Sequence, residues 1–264
     1  MDASINTVGD VGVTWCRAPD PGHRPPLVLV HAGCHGSWAW ERLQPFLAEQ
    51  GWDSVALDWY GRGGSAPLSD PSAALQRGIP DVAREIGVVA AGAGGSPVVV
   101  GHGMGGLASL CYASTGNPTA LVLLTPVAPA LPGLEPLDIP VDLEHWWGPP
   151  DEETGRFLFF DAVGDEDARR YAGALVPESP LAVWQATRWT VPVPSPEYGG
   201  PILVVSADSD PLVPPPVTER LVEHLGADHV VLTGQGHGVT LNPVWRHVGT
   251  VVAEWLRARI DGTA

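Results

Sequence analysis

Six aliphatic runs limit what this chain can fold into more than any other feature. They are LVLVHA, DSVALDW, PVVVGH, ALVLLTPV, PILVVSAD and DHVVLTG. Unbroken apolar strands of this kind suit parallel sheets covered on both faces, whereas a sheet wetted on one side alternates apolar and polar residues. Between the runs lie segments with helical character: WERLQPFLAEQ, DVAREIGVVAAG, PPVTERLVEHLG and WRHVGTVVAEWLRARI. Strands alternating with helices predict an α/β chain with a doubly wound, mostly parallel sheet. A β-rich start, VGVTWCRA, and a turn, PDPGHRPP, precede the first run.

One segment interrupts the alternation. Residues 131–198 contain no aliphatic strand, yet they hold Trp146, Trp147, Trp184, Trp189 and the run RFLFFDAVG. A structureless loop of that length is unusual in a compact domain, so the segment should carry its own helices. We expect a helical cap over 131–198, set into a core made of 1–130 and 199–264. A cap there would lie over the strand ends, where open α/β sheets bind ligands. Its aromatic residues, with Trp38, suggest a roomy apolar or aromatic pocket for a small-molecule or peptide-like substrate.

Charge excludes several partners. The chain has 30 acidic and 14 basic side chains, a net charge of −16, with no basic cluster. Such a surface repels phosphate backbones and anionic lipid, which argues against nucleic acid and membrane partners. All of the basic residues are arginine. Without lysine there is no Schiff base, no lysine-held pyridoxal phosphate and no Walker-type phosphate lysine, and no cofactor is implied. Cys16, Cys34 and Cys111 are too few and too scattered for a disulfide framework or a zinc site, so no metal is expected. The opening MDASINTVGD has neither a charged nor an apolar signal region, and no apolar run reaches membrane-spanning length. A cytoplasmic monomer or homodimer is the resulting expectation.

The stretch PVVVGHGMGG runs from a strand through a glycine-rich turn into the helical GLASLCYAS. This is the setting of a G-x-S-x-G nucleophile elbow, with Gly103 where the serine would stand. Three further motifs accompany it in order: LVHAGCHGSWAW, LDWYGRGGSAP, and SADSDPLVPP with GQGHGVTLNP. Together they resemble the α/β-hydrolase family along nearly the whole chain. The first motif is most similar to plant hydroxynitrile lyases and methylesterases. That resemblance implies an oxyanion hole from the backbone N–H groups of Gly33 and Met104, a donor pair that does not depend on side chains. It implies Asp210 as the acid and His237 as the base, with Asp208 a loop residue and His102 in the substrate pocket beside the base rather than acting as one. Cys34 matches a structural position.

Glycine accepts the strained backbone of an elbow without cost, so the turn should persist while the hydroxyl is absent. Losing the nucleophile from a triad removes on the order of 10⁶ in kcat. Hydroxynitrile lyases use an elbow serine, an oxyanion-loop threonine and a lysine after the histidine; here those positions are Gly103, Ala32 and Gly238. Three readings stay open. His237 and Asp210 could move a proton on an activated carbon, as an isomerase, epimerase, lyase or cyclase of specialised metabolism would. The chain could be a serine esterase, thioesterase or lactonase whose serine has been replaced. It could also be a ligand-binding pseudoenzyme.

Overall fold

A computed structural model describes residues 4–68, 70–193 and 198–263. Its centre is one eight-stranded sheet in the order β1-β2-β4-β3-β5-β6-β7-β8. The strands are β1 (Ser4–Val8), β2 (Val11–Cys16), β3 (Leu27–Val30), β4 (Ser54–Leu57), β5 (Val98–His102), β6 (Ala120–Leu124), β7 (Ile202–Ala207) and β8 (Asp228–Leu232). The β1–β2 hairpin and the β2–β4 pair are antiparallel, and every pair from β4 to β8 is parallel. The doubly wound, mostly parallel sheet expected from the aliphatic runs is therefore what forms. β1 was not foreseen, because SINTV offers too short and too polar a pattern to read as a strand.

The reason for the unbroken runs is visible in the side-chain registers. Val28 and Val30 point into one apolar core with Val99, Leu121, Leu123 and Val204. Their neighbours Leu27 and Leu29 point into the other, with Val98, Val100, Val122 and Leu203. The first core is closed by α3 (Ile79–Gly92), α4 (Met104–Ala113) and α8 (Pro215–Leu225), which contribute Ile86, Leu107 and Leu221. The second is closed by α1 (Leu43–Glu49) and α9 (Trp245–Ile260), through Leu43, Leu47, Val248 and Leu256. A short α2 (Pro71–Leu75), capped by Asp70, precedes α3. Among the described residues no helix is long and apolar enough to cross a membrane.

Between β6 and β7 the chain forms α5 (Glu152–Phe159), α6 (Asp165–Ala172) and α7 (Pro180–Arg188). Residues 194–197, part of the segment expected as a cap, lie outside the described residues. Leu158, Phe159, Phe160, Tyr171 and Leu175 build a third apolar cluster that reaches Cys34 and Leu241. The inserted helices are thus packed on the strand ends through their own core.

At one point the fold requires backbone to touch backbone. A Cβ on Gly105, in the first turn of α4, would lie 2.4 Å from the carbonyl oxygens of both Val30 and His31. Neither oxygen can yield without moving β3, so α4 approaches the sheet this closely only through glycine. Gly105→Ala is expected to cost about 2–3 kcal/mol through overpacking. A urea midpoint lowered at unchanged m-value would show it.

Candidate active site

Four loops at the carboxyl ends of parallel strands converge: 31–36 after β3, Gly103 after β5, 208–213 after β7 and 233–240 after β8. This is where an open α/β sheet forms its ligand crevice. Gly103 is the N-cap of α4 with φ 55° and ψ −119°, a conformation that strains any side chain but none in glycine. Its amide donates to Leu124 O at 3.0 Å, and its own carbonyl accepts from Val127 at 3.0 Å. The sharp strand-to-helix turn is therefore fixed by β6 and does not need a serine.

His237 and Asp210 meet 2.8 Å apart, Nδ1 to Oδ2, and both are buried. Asp210 Oδ1 accepts from the amides of Leu212 and Val213 at 2.8 and 2.9 Å. A carboxylate so held accepts from Nδ1–H, which leaves the lone pair of His237 on Nε2. That nitrogen faces Gly103: a Cβ built there would lie 2.9 Å from Nε2 and 3.1 Å from Ala32 Cβ. The imidazole occupies the edge of the space a nucleophile side chain would take. Asp208 is exposed and accepts from Gly234 N at 2.7 Å, tying the two loops together.

The His237 loop is held by its backbone. The His237 carbonyl accepts from His102 Nε2 at 3.0 Å and from Thr125 Oγ1 at 3.1 Å. Donation from Nε2 leaves His102 Nδ1 as the buried acceptor, and it has no partner among the described residues. Thr125 adopts φ 39°, an unusual value for a β-branched residue, to make this contact. Gly238 presses on α5, where an added Cβ would lie within bonding distance of Phe159 O.

Gly33 and Met104 both line the cavity, and their amides donate to no protein acceptor among the described residues. A Cβ on Gly33 would meet Met104 Sδ at 2.6 Å, so the Met104 side chain lies in the space that the glycine leaves open. The loop after β3 is braced from behind. Cys34, at φ 63°, donates its amide to Glu178 Oε2 at 2.9 Å and accepts at its carbonyl from Val176. Glu178 is paired with Arg62 at 3.0 Å, both buried, and Arg62 Nη1 donates to His35 O at 3.0 Å. Burial pushes the Glu178 carboxyl up, but Arg62 and the Cys34 and Ser179 amides outweigh it and leave it below its usual value. Sequence reading missed this pair, because PES before a helix looks like an exposed cap. Burial pushes the Cys34 thiol far up, so it is no nucleophile.

The cavity between these loops and the inserted helices measures about 50 Å³. Ala32, Gly33, Met104 and His237 form one wall; Trp147, Leu158, Phe159 and the α7 face of Val183, Ala186 and Thr187 form the other. The expectation of a roomy aromatic pocket is corrected. Of the tryptophans assigned to it, only Trp147 lines the cavity. Trp38 is sandwiched between His35 and Tyr171, its rings stacked at 5.1 and 5.8 Å. Trp189 is buried in the sheet core and donates Nε1 to Glu135 O at 2.9 Å. Trp184 follows Val183 on α7 and so turns off the 183, 186, 187 stripe. Trp146 is 44% exposed and borders a separate groove with Tyr60 and Arg77. His102 sits behind His237, not in the cavity wall.

Comparison with known proteins agrees with this fold. A model of the alpha/beta hydrolase family matches residues 27–245. Methylesterase 3 of Arabidopsis thaliana is 28% identical over 148 residues, covering 52% of this chain and 49% of that protein. Norfluorocurarine synthase 1 of Strychnos sp is 28% identical over 128 residues, covering 48% and 47%. The matches thus span about half the length of these curated relatives. The crystal structure of Paleococcus ferrophilus monoacylglycerol lipase superposes with a TM-score of 0.72 at 20% identity, covering 94% of this chain and 99% of that one. At that identity the likeness concerns the fold alone.

Three buried histidines surround the site in neutral form. Burial foremost lowers His31 and His102 well below the ordinary imidazole value, and lowers His35 to about 4. The unfolded chain binds these protons near pH 6.5 while the folded chain refuses them, so stability must fall as pH drops below that value. For His35 the loss runs between about pH 6.5 and 4 and approaches ~3 kcal/mol, at ~1.4 kcal/mol per unit. Urea midpoints measured from pH 7.5 to 4.5 should decline, and His35→Gln should flatten the slope.

Proposed function

The chain belongs to the alpha/beta hydrolase family, and from that premise we infer that it is a non-hydrolytic member that transfers protons at carbon. His237 acts as the general base, Asp210 orients it, and the Gly33 and Met104 amides hold the oxygen on which charge develops. Residues 131–198 serve as a cap that excludes water from the exchange. The observation that carries this reading is the position of His237 Nε2 against Gly103. With no hydroxyl to activate, the ring borders the same cavity that Gly33 and Met104 line.

The chemistry follows from those three groups. A carbonyl oxygen on the amides makes the adjacent C–H more acidic. Nε2 takes that proton, the C–H electron pair moves into a new C=C bond, and the carbonyl π pair moves onto oxygen. The imidazolium, stabilised by Asp210, then returns the proton to another face or another carbon, or assists a leaving group. General acid–base catalysis of this type supplies about 10²–10⁴ in rate, and the oxyanion donors add to it. The Strychnos relative is named a synthase, which supports a role in biosynthesis over degradation.

A second reading is favoured by the intact elbow. The turn and the Met104 amide match what an esterase needs, and one relative is named a methylesterase, so the protein could be a hydrolase that lacks only its hydroxyl. Gly103→Ser separates the two. A new Cβ must push the His237 ring by a few tenths of an ångström, against Asp210 and the stacked His102 ring 5.0 Å away. We expect less than a tenfold gain on p-nitrophenyl acetate. A gain of 10³ or more would sink the proton-transfer reading and establish the hydrolase one.

For the wild-type chain, deuterium from solvent should enter the carbon next to the carbonyl of a bound ketone, as read by mass spectrometry. His237→Ala should abolish that incorporation, and Asp210→Asn should reduce it at least about 10²-fold by releasing the tautomer.

A further inference from the structure

We propose that the cavity takes an uncharged acetonyl-type end, CH₃–CO–CH₂–, of a ketone or β-dicarbonyl compound, and rejects substrates that carry a carboxylate there. The proposal rests on the proton-transfer reading above and adds to it the class of molecule that the site accepts.

Four observations lead to it. The first is charge. Among the described residues lining the cavity none is a carboxylate or a guanidinium, and His237 is the one titratable base. Thr187, the wall's hydroxyl, is already engaged: it donates to Val183 O at 2.8 Å and accepts from Arg188 at 2.6 Å. An ion entering this wall would lose its hydration with nothing to replace it, a cost of several kcal/mol. The buried ions behind the wall are already engaged, Asp210 with His237 and two backbone amides, Arg62 and Glu178 with each other behind Cys34.

The second is size. A cavity of about 50 Å³ is about a third of the ~150 Å³ that holds a benzene ring, so it admits only a short group of a few non-hydrogen atoms. Four non-hydrogen atoms make an acetonyl unit; an aromatic ring would have to stay at the mouth. The third is the placing of the polar groups. Two amide donors and one imidazole acceptor suit an oxygen and a neighbouring C–H. The remaining wall, including Val127, Leu158 and Val183, suits a methyl or methylene group.

The fourth is the field outside. Residues 131–198 carry thirteen acidic side chains against four arginines. The helices around the cavity therefore repel anions before they reach it, and the effect weakens as salt is added.

The chain supplies its own reporter. Its two methionines are Met1 and Met104, so ¹⁵N-methionine labelling places an amide probe on one of the two oxyanion donors. We expect 2,4-pentanedione, neutral and bearing two acetonyl ends, to shift the Met104 amide signal saturably. Acetoacetate keeps one acetonyl end but adds a carboxylate, and should bind at least tenfold more weakly at low salt. Ile139→Arg places a cation on the partly exposed rim of the same wall. It should raise acetoacetate affinity at least tenfold relative to pentanedione, which would show that charge and not shape causes the rejection.

The proposal fails if acetoacetate binds as tightly as pentanedione to the wild-type chain. It also fails if pentanedione up to 100 mM leaves Met104 unmoved. If pentanedione binds at Met104 but the deuterium it gains is unaffected by His237→Ala, the substrate class stands and the proton-transfer reading falls.

Discussion

Everything at this site depends on how the carbonyl oxygen of His237 is held. His102 and Thr125 donate to it from the ends of β5 and β6, so the loop after β8 is fixed to two neighbouring strands. Asp210 then sets the ring about its own axis through Nδ1. In a hydrolase triad the base has a third constraint, the hydrogen bond from the nucleophile. Here that third contact is missing and the ring keeps its place without it. The direction of Nε2 is therefore a property of the sheet and not of the elbow residue, which is why a glycine at 103 leaves an oriented imidazole behind.

The buried histidines bear on the same point. His31, His35 and His102 are each committed to a backbone group, and burial keeps each neutral near pH 7. The three imidazoles around the site therefore place no positive charge against the His237 ring. The cavity wall repeats this economy: among the described residues it carries no carboxylate or guanidinium, and its hydroxyl, Thr187, is already bonded.

Much of this was legible in the sequence, for identifiable reasons. The six aliphatic runs became parallel strands because both faces of each are covered, which leaves no polar alternation to obscure them. The elbow, the acid loop and the histidine loop lie at strand ends, where short glycine-rich motifs must sit. Less legible was anything that depends on direction. Trp38, Trp146, Trp147, Trp184 and Trp189 have the same composition signal, yet one lines the cavity, one packs in the sheet core, one stacks between aromatic rings, one is nearly half exposed and Trp184 turns off the cavity-facing stripe of α7. Nothing in their spacing distinguishes these fates. Glu178 was hidden for a different reason: its partner Arg62 is 116 residues away, and a local reading can only see a charge before a helix.

The Arg62–Glu178 pair also limits how this protein can change. It joins the loop after β4, the loop after β3 at Cys34 and the segment that carries Trp147, since Trp147 and Glu178 exchange backbone hydrogen bonds. A buried pair of this kind tolerates the loss of both partners far better than the loss of one. Descent along this lineage should therefore alter positions 62 and 178 together or not at all. Grafting the inserted helices onto another scaffold would import a carboxylate that needs its arginine. The cover and the floor of the cavity are inherited as a single unit, although the chain writes them far apart.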